Sequence, residues 1–110
     1  MTNLKVRCQL SRSERTSRFD RLSQLGCCIC CRPAQIHHLI GSKFRGMGQK
    51  AGDEFTIPLC MDHHTGAFGI HSLGMRAWEG MYDLQSTFLE RVNKQIEVMT
   101  NQGVVFSGCE

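Results

Sequence analysis

Four cysteines in five residues, Cys27-Cys28-Ile29-Cys30-Cys31, precede five histidines confined to positions 37–71, and this pattern constrains the chain more than any other. Thiolate and imidazole at turn-like spacing bind transition metals. The cysteine run holds two overlapping Cys-x2-Cys knuckles, and Cys60-x2-His63 supplies a second pair about 30 residues on, which together make a tetrahedral Cys3His zinc site. Gly26 suits the tight turn before Cys27 and favours Cys27 with Cys30; Cys28 with Cys31 is the competing register. The bland alternative, that these are small buried hydrophobes, fits poorly with so dense a cluster. A metal staple also suits the size. At 110 residues the chain is expected to be one domain spanning 1–110, and a domain this small buries only about 65% of its extended-chain surface.

The setting expected for those sulfurs is a reducing one. The stretch Met1-Thr2-Asn3-Leu4-Lys5-Val6-Arg7 lacks the apolar run of a signal peptide, and an odd count of seven cysteines argues against a fully paired secreted framework. Thiolates in a cytoplasmic protein are therefore expected rather than disulfides. No stretch approaches the ~18 apolar residues of a membrane span. Net charge is +3 but unevenly placed: residues 1–50 hold ten Lys/Arg against two acids, and 51–110 hold three against eight. The amino-terminal half is the polyanion-facing side in this reading. The competing view is that Arg12, Arg15, Arg18 and Arg21 are merely the solvated face of a helix.

Ser11-Arg12-Ser13-Glu14 has capping-box spacing, and Phe19, Leu22 and Leu25 recur at three-residue steps, so the pattern predicts an amphipathic helix over 12–25, ended by Gly26. Gln35–Ile40 and Phe55–Leu59 are β-compatible, with Pro58 limiting the second to an edge or strand end. Between them Gly41, Gly46, Gly48 and Gly52 mark a loop carrying Lys43, Arg45 and Lys50, suited to phosphate contact or to flexibility alone. Short helices are expected over 61–66 and 75–82, the latter pairing Trp78 with Tyr82. Leu84, Phe88, Val92, Ile96 and Met99 form the apolar stripe of a last, longer helix reaching to about 100, with Glu90 and Lys94 exposed. The tail from Asn101 is read as frayed or a brief strand, with Cys109 lacking an evident partner.

With His63 assigned to zinc, His37, His38, His64 and His71 remain. A metal-assisted nuclease needs a divalent ion against the scissile phosphate and a base for the attacking water, and four imidazoles cover those tasks. His71 stands apart from the others, seven residues beyond His64.

Taken together, Gly26-Cys27-Cys28-Ile29-Cys30-Cys31-Arg32-Pro33, Ile36-His37-His38-Leu39, Gly46-Met47-Gly48-Gln49-Lys50-Ala51, Thr56-Ile57-Pro58-Leu59-Cys60, His63-His64 and Ile70-His71 resemble an HNH endonuclease over about residues 15–95. More narrowly, the chain is similar to the phage recombination-enhancement (Ref) family of RecA-dependent nucleases. The resemblance implies an α+β protein with a ββα-metal core over about 26–72, a structural zinc knuckle and flanking helices. It implies His37 as a ligand of the catalytic divalent cation (Mg2+, Mn2+ or Zn2+), His38 as general base, His64 as second ligand and His71 as third. Cys27, Cys30, Cys60 and His63 would hold the structural zinc. It further implies DNA as substrate, a RecA–DNA filament as partner, no membrane, and a phage or prophage role in recombination within the bacterial cytoplasm.

One departure stands out: no Asn occurs between His38 and Cys60, where the family's central asparagine steadies the base. Thr56 or Asp53 is expected in its place. Arg15, Arg18, Lys43, Arg45 and Lys50 are the expected backbone contacts, giving cleavage without base readout. A non-catalytic, zinc-stabilised DNA-binding or adaptor module is the alternative, and it leaves His38 and His64 unexplained. A Cys-x2-Cys redox protein is disfavoured, since no βαβ pattern surrounds the motif.

Overall fold

In a computed structural model the described residues are 10–41, 44 and 51–102. The loop cations Lys43, Arg45 and Lys50, and Cys109 in the tail, lie outside them. Seven elements follow in order: α1 (Arg12–Leu25), β1 (Gln35–His38), β2 (Thr56–Leu59), α2 (Met61–His64), α3 (Ile70–Leu73), α4 (Met75–Met81) and α5 (Gln85–Gln102). Among the described residues the structure is small and mixed α/β, with one two-stranded sheet. No helix among the described residues is long and apolar enough to cross a membrane.

The local chemistry expected at the start of α1 is present. Ser11 Oγ accepts from the Glu14 amide at 3.2 Å, and Glu14 Oε1 accepts from the Ser11 amide at 2.9 Å, closing the box. Leu22 and Leu25 face the core, and Gly26 ends the helix at φ 77°. Only glycine fits there: a Cβ would sit 2.7 Å from the Cys31 carbonyl oxygen. The chain turns tightly into the cysteines, with the Cys31 amide donating to the Cys27 carbonyl and the Cys27 amide to that of Arg32, both at 2.8 Å.

The strands pair antiparallel, His37 opposite Ile57 and His38 opposite Thr56. Alternation along β1 sends the two histidines to opposite faces of the hairpin, His37 wholly buried and His38 half-buried. Gln35 shares the His37 side. The core gathers Leu22, Leu25, Leu39, Ile57, Leu59, Ile70 and Val92 around Trp78. The indole stacks at a tilt on Tyr82 and Phe88, with centroids 5.3 and 5.6 Å away.

One expectation needs correction here. The long helix begins at Gln85, so Leu84 precedes the stripe and is 51% exposed, while Gln85 is fully buried. Position 84 lies outside the helical turn, and a polar side chain with buried hydrogen-bond partners takes the inward place. The segment after His64 also holds a further short helix, α3, whose Ile70 anchors in the core.

Candidate metal centres

The first centre grows from the knuckle, β2 and α2. Cys27, Cys30, Cys60 and His63 each bring one ligand atom into a common group. Cys30 Sγ lies 3.5 Å from Cys60 Sγ, and His63 Nδ1 lies 3.1 Å from Cys60 Sγ and 3.7 Å from Cys27 Sγ. Donors at tetrahedral angles around one zinc stand about 3.5–3.8 Å apart, so the set is compatible with a zinc site. The Ile29 amide points at Cys27 Sγ from 3.5 Å, and Trp78 Nε1 donates to the His63 carbonyl at 3.2 Å, steadying both ends.

The competing register fails for physical reasons. Cys28 stays outside the group formed by Cys27, Cys30, Cys60 and His63, and burial, then the neighbouring Cys27, pushes its thiol up to about 12. Cys31 is disulfide-bonded, which also corrects the expectation of thiolates throughout. Cys30 behaves oppositely. Burial acts to raise it, but hydrogen bonds led by those from Arg32 bring it down to about 6. The exposed Arg32 guanidinium donates through Nε to Cys30 Sγ at 3.4 Å and through Nη2 to Asp62 at 2.8 Å, placing positive charge beside a sulfur-rich, anionic centre.

The second centre joins β1, α2 and α3: His37, His64 and His71 also bring one ligand atom each into a single group. His64 and His71 meet through their Nε2 atoms at 3.0 Å, with ring centroids 4.6 Å apart. Their approach depends on Gly69, where a Cβ would sit 2.6 Å from the His64 carbonyl, so any other residue would push α3 off α2. His64 Nδ1 lies 2.7 Å from Gln35 Oε1, leaving Nε2 to face His71. His37 Nε2 lies 3.1 Å from Gln85 Oε1, whereas its Nδ1 is buried with no hydrogen-bond partner. An orphaned buried nitrogen beside two other imidazoles is what a cation would satisfy. Burial, above all, lowers His37 to about 4, and burial followed by the His71 charge lowers His64; both rings are thus the neutral form that ligates.

His38 stands outside this trio. Its Nε2 lies 2.7 Å from Asp53 Oδ1, and Arg15 Nη1 approaches Asp53 Oδ2 at 3.5 Å. Of the two substitutes expected for the missing asparagine, Asp53 touches the imidazole, and Thr56 supports it indirectly by donating to the Asp53 carbonyl at 2.8 Å. Arg18 is the expected DNA contact that the structure redirects. Its Nε and Nη2 donate to Thr56 Oγ1 and carbonyl at 2.9 and 2.7 Å, and its Nη1 donates to Asn93 Oδ1 at 2.9 Å. That guanidinium joins α1, β2 and α5. Arg15 remains 37% exposed at its side chain. Gln85, Gln35 and Arg32 are contributors that sequence reasoning missed; an amide or guanidinium far along the chain carries no spacing signal.

The chain is 56% identical over 39 residues to "Uncharacterized protein YdfU" of Escherichia coli (strain K12), a match covering 34% of this chain and 11% of that protein. No solved structure matches. Residues 9–99 match the family model described as "Protein of unknown function (DUF968)", and with most of its length inside that match the chain belongs to the DUF968 family.

Proposed function

We propose that this chain is a metal-dependent DNA endonuclease of HNH type, with β1, β2 and α2 as its ββα-metal core. The observation that carries the reading is the grouping of one ligand atom each from His37, His64 and His71, together with a His37 Nδ1 that is buried and has no hydrogen-bond partner. A divalent cation held there would supply charge neutralisation for the scissile phosphate and the departing 3′ oxygen. His38 is the general base. Asp53 accepts from its Nε2–H, which fixes the ring and leaves Nδ1 with a lone pair for the proton of the attacking water. His38 ends β1, next in the chain to His37. Arg15, beside Asp53, is the described cation best placed for the DNA backbone.

Backbone contact alone gives cutting without sequence preference. The resemblance to the recombination-enhancement nucleases supports a phage or prophage recombination setting, in which activity is tested with and without a RecA filament. Nicking of supercoiled plasmid by zinc-loaded protein with added magnesium, manganese, nickel or zinc is the direct assay. His38→Ala is expected to lower the rate by about 100- to 10,000-fold, and His64→Ala to abolish metal-dependent cutting, each with zinc content and fold retained. A second reading, a non-catalytic DNA-binding or adaptor module, draws on the engagement of His38 by Asp53 away from the trio. Absence of cleavage with all four metals would decide for it.

A further inference from the structure

Gln85 is a polar side chain with no exposed surface, on the first turn of α5 and 48 residues beyond the histidine it touches. Its amide orientation is set by backbone groups that allow one answer. The Ile40 N–H can only donate, and it meets Oε1 at 2.9 Å; the Ile40 carbonyl can only accept, and it meets Nε2 at 2.9 Å. Glu79 Oε2 adds a carboxylate 3.3 Å from the amide Nε2 and accepts from the Gln85 backbone amide at 2.9 Å. The amide oxygen therefore faces His37 Nε2, and an oxygen with no proton accepts only from N–H. His37 must carry its proton on Nε2. Its lone pair is then on Nδ1, the atom buried without a partner in a ring whose centroid lies 5.1 and 5.4 Å from those of His64 and His71.

Resting on the metal-site reading above, we infer that Gln85, braced by Glu79 and Ile40, is a positioning residue that commits His37 to the Nε2–H tautomer and so makes Nδ1 its ligand atom for a divalent cation. A neutral imidazole free in water exchanges between tautomers, and only one of them offers Nδ1. An acceptor behind the ring removes the other. The Glu79 carboxylate polarises the amide toward its oxygen, strengthening the hydrogen bond that holds the ring.

The test uses the zinc-loaded full chain. Nitrogen-15 long-range correlation spectra at pH 7.5, without added cation, are expected to show His37 protonated at Nε2; a ring protonated at Nδ1 overturns the inference. Nickel titration by calorimetry then compares wild type with Gln85→Met, which keeps the length and removes both amide roles. Affinity is expected to fall about 10- to 100-fold, with mixed His37 tautomers and one zinc per chain retained. Unchanged nickel affinity and an unchanged tautomer in a folded Gln85→Met also overturn it. Should that variant fail to fold, Glu79→Gln replaces it. There, a weaker His37 hydrogen bond seen as faster Nε2–H exchange supports the role, and no change in exchange opposes it. Absence of DNA cleavage with the tautomer and nickel affinity as expected sinks the nuclease reading and leaves this one standing.

Discussion

Replacing Arg18 with alanine separates a helix that serves DNA from one that serves the fold. Its guanidinium donates to Thr56 Oγ1, the Thr56 carbonyl and Asn93 Oδ1 within 2.7–2.9 Å. Thr56 is fully buried, so truncation strands a carbonyl that the surrounding core shields from water. A stranded buried acceptor costs about 1–3 kcal/mol, and a hydrogen bond from a charged donor contributes about 1.5–3 kcal/mol. The exposed Asn93 contact adds under about 1 kcal/mol. These terms overlap, so the expected loss is about 2–4 kcal/mol, or about 30- to 900-fold in the ratio of folded to unfolded chains. Urea unfolding of the zinc-loaded protein reads that loss directly, and plasmid binding across a salt series provides the counter-test. A phosphate contact removed would flatten the salt slope by about 0.9. Stability within about 0.5 kcal/mol of wild type, together with that flattening, would refute the structural role.

Three further outcomes follow from the same geometry. Gly26→Ala combines a positive φ of 77° with a Cβ placed 2.7 Å from the Cys31 carbonyl oxygen. The conformational part alone costs about 1–2 kcal/mol, so a lower melting temperature and faster zinc loss to a chromogenic chelator are expected. Cys60→Ala, or exhaustive chelation, is expected to unfold the domain by circular dichroism, because a structural zinc contributes about 10–16 kcal/mol against a total stability of about 5–15. Zinc-loaded protein without a second cation is expected to lose stability as pH falls. His37 is lowered to about 4 chiefly by burial, whereas the unfolded ring titrates near its ordinary value of 6.5. Between those values the unfolded state binds more protons, so stability is complete above about 6.5 and declines toward 4, by about 3 kcal/mol at most. His37→Asn should flatten that part of the urea-midpoint profile; an unchanged slope would assign it to other groups.

The sequence was readable wherever the signal is local. Ser11 and Glu14 declare the start of α1, Gly26 the turn, Trp78 and Tyr82 a helical pair, and the Cys-x2-Cys and Cys-x2-His spacings the groups that meet at Cys27, Cys30, Cys60 and His63. It was opaque wherever a side chain finds a partner far along the chain. Arg18 looks like any surface arginine until Thr56 and Asn93 arrive, 38 and 75 residues away. Gln85 reads as a polar break beside an apolar stripe until the Ile40 backbone and His37 close on it. That Asp53 rather than Thr56 touches His38 follows from the path of the loop before β2, which periodicity does not encode.

α2 is a single turn of four residues, yet neighbouring positions in it feed both centres: His63 joins the sulfur cage and His64 the imidazole trio. Successive helical side chains diverge by about 100°, so one peptide unit gears the two assemblies together. Inserting or deleting one codon between Cys60 and His64 would misaim both at once. Selection can therefore tune either centre through its periphery, but the spacing at their junction is shared property, and neither can drift there without dragging the other along.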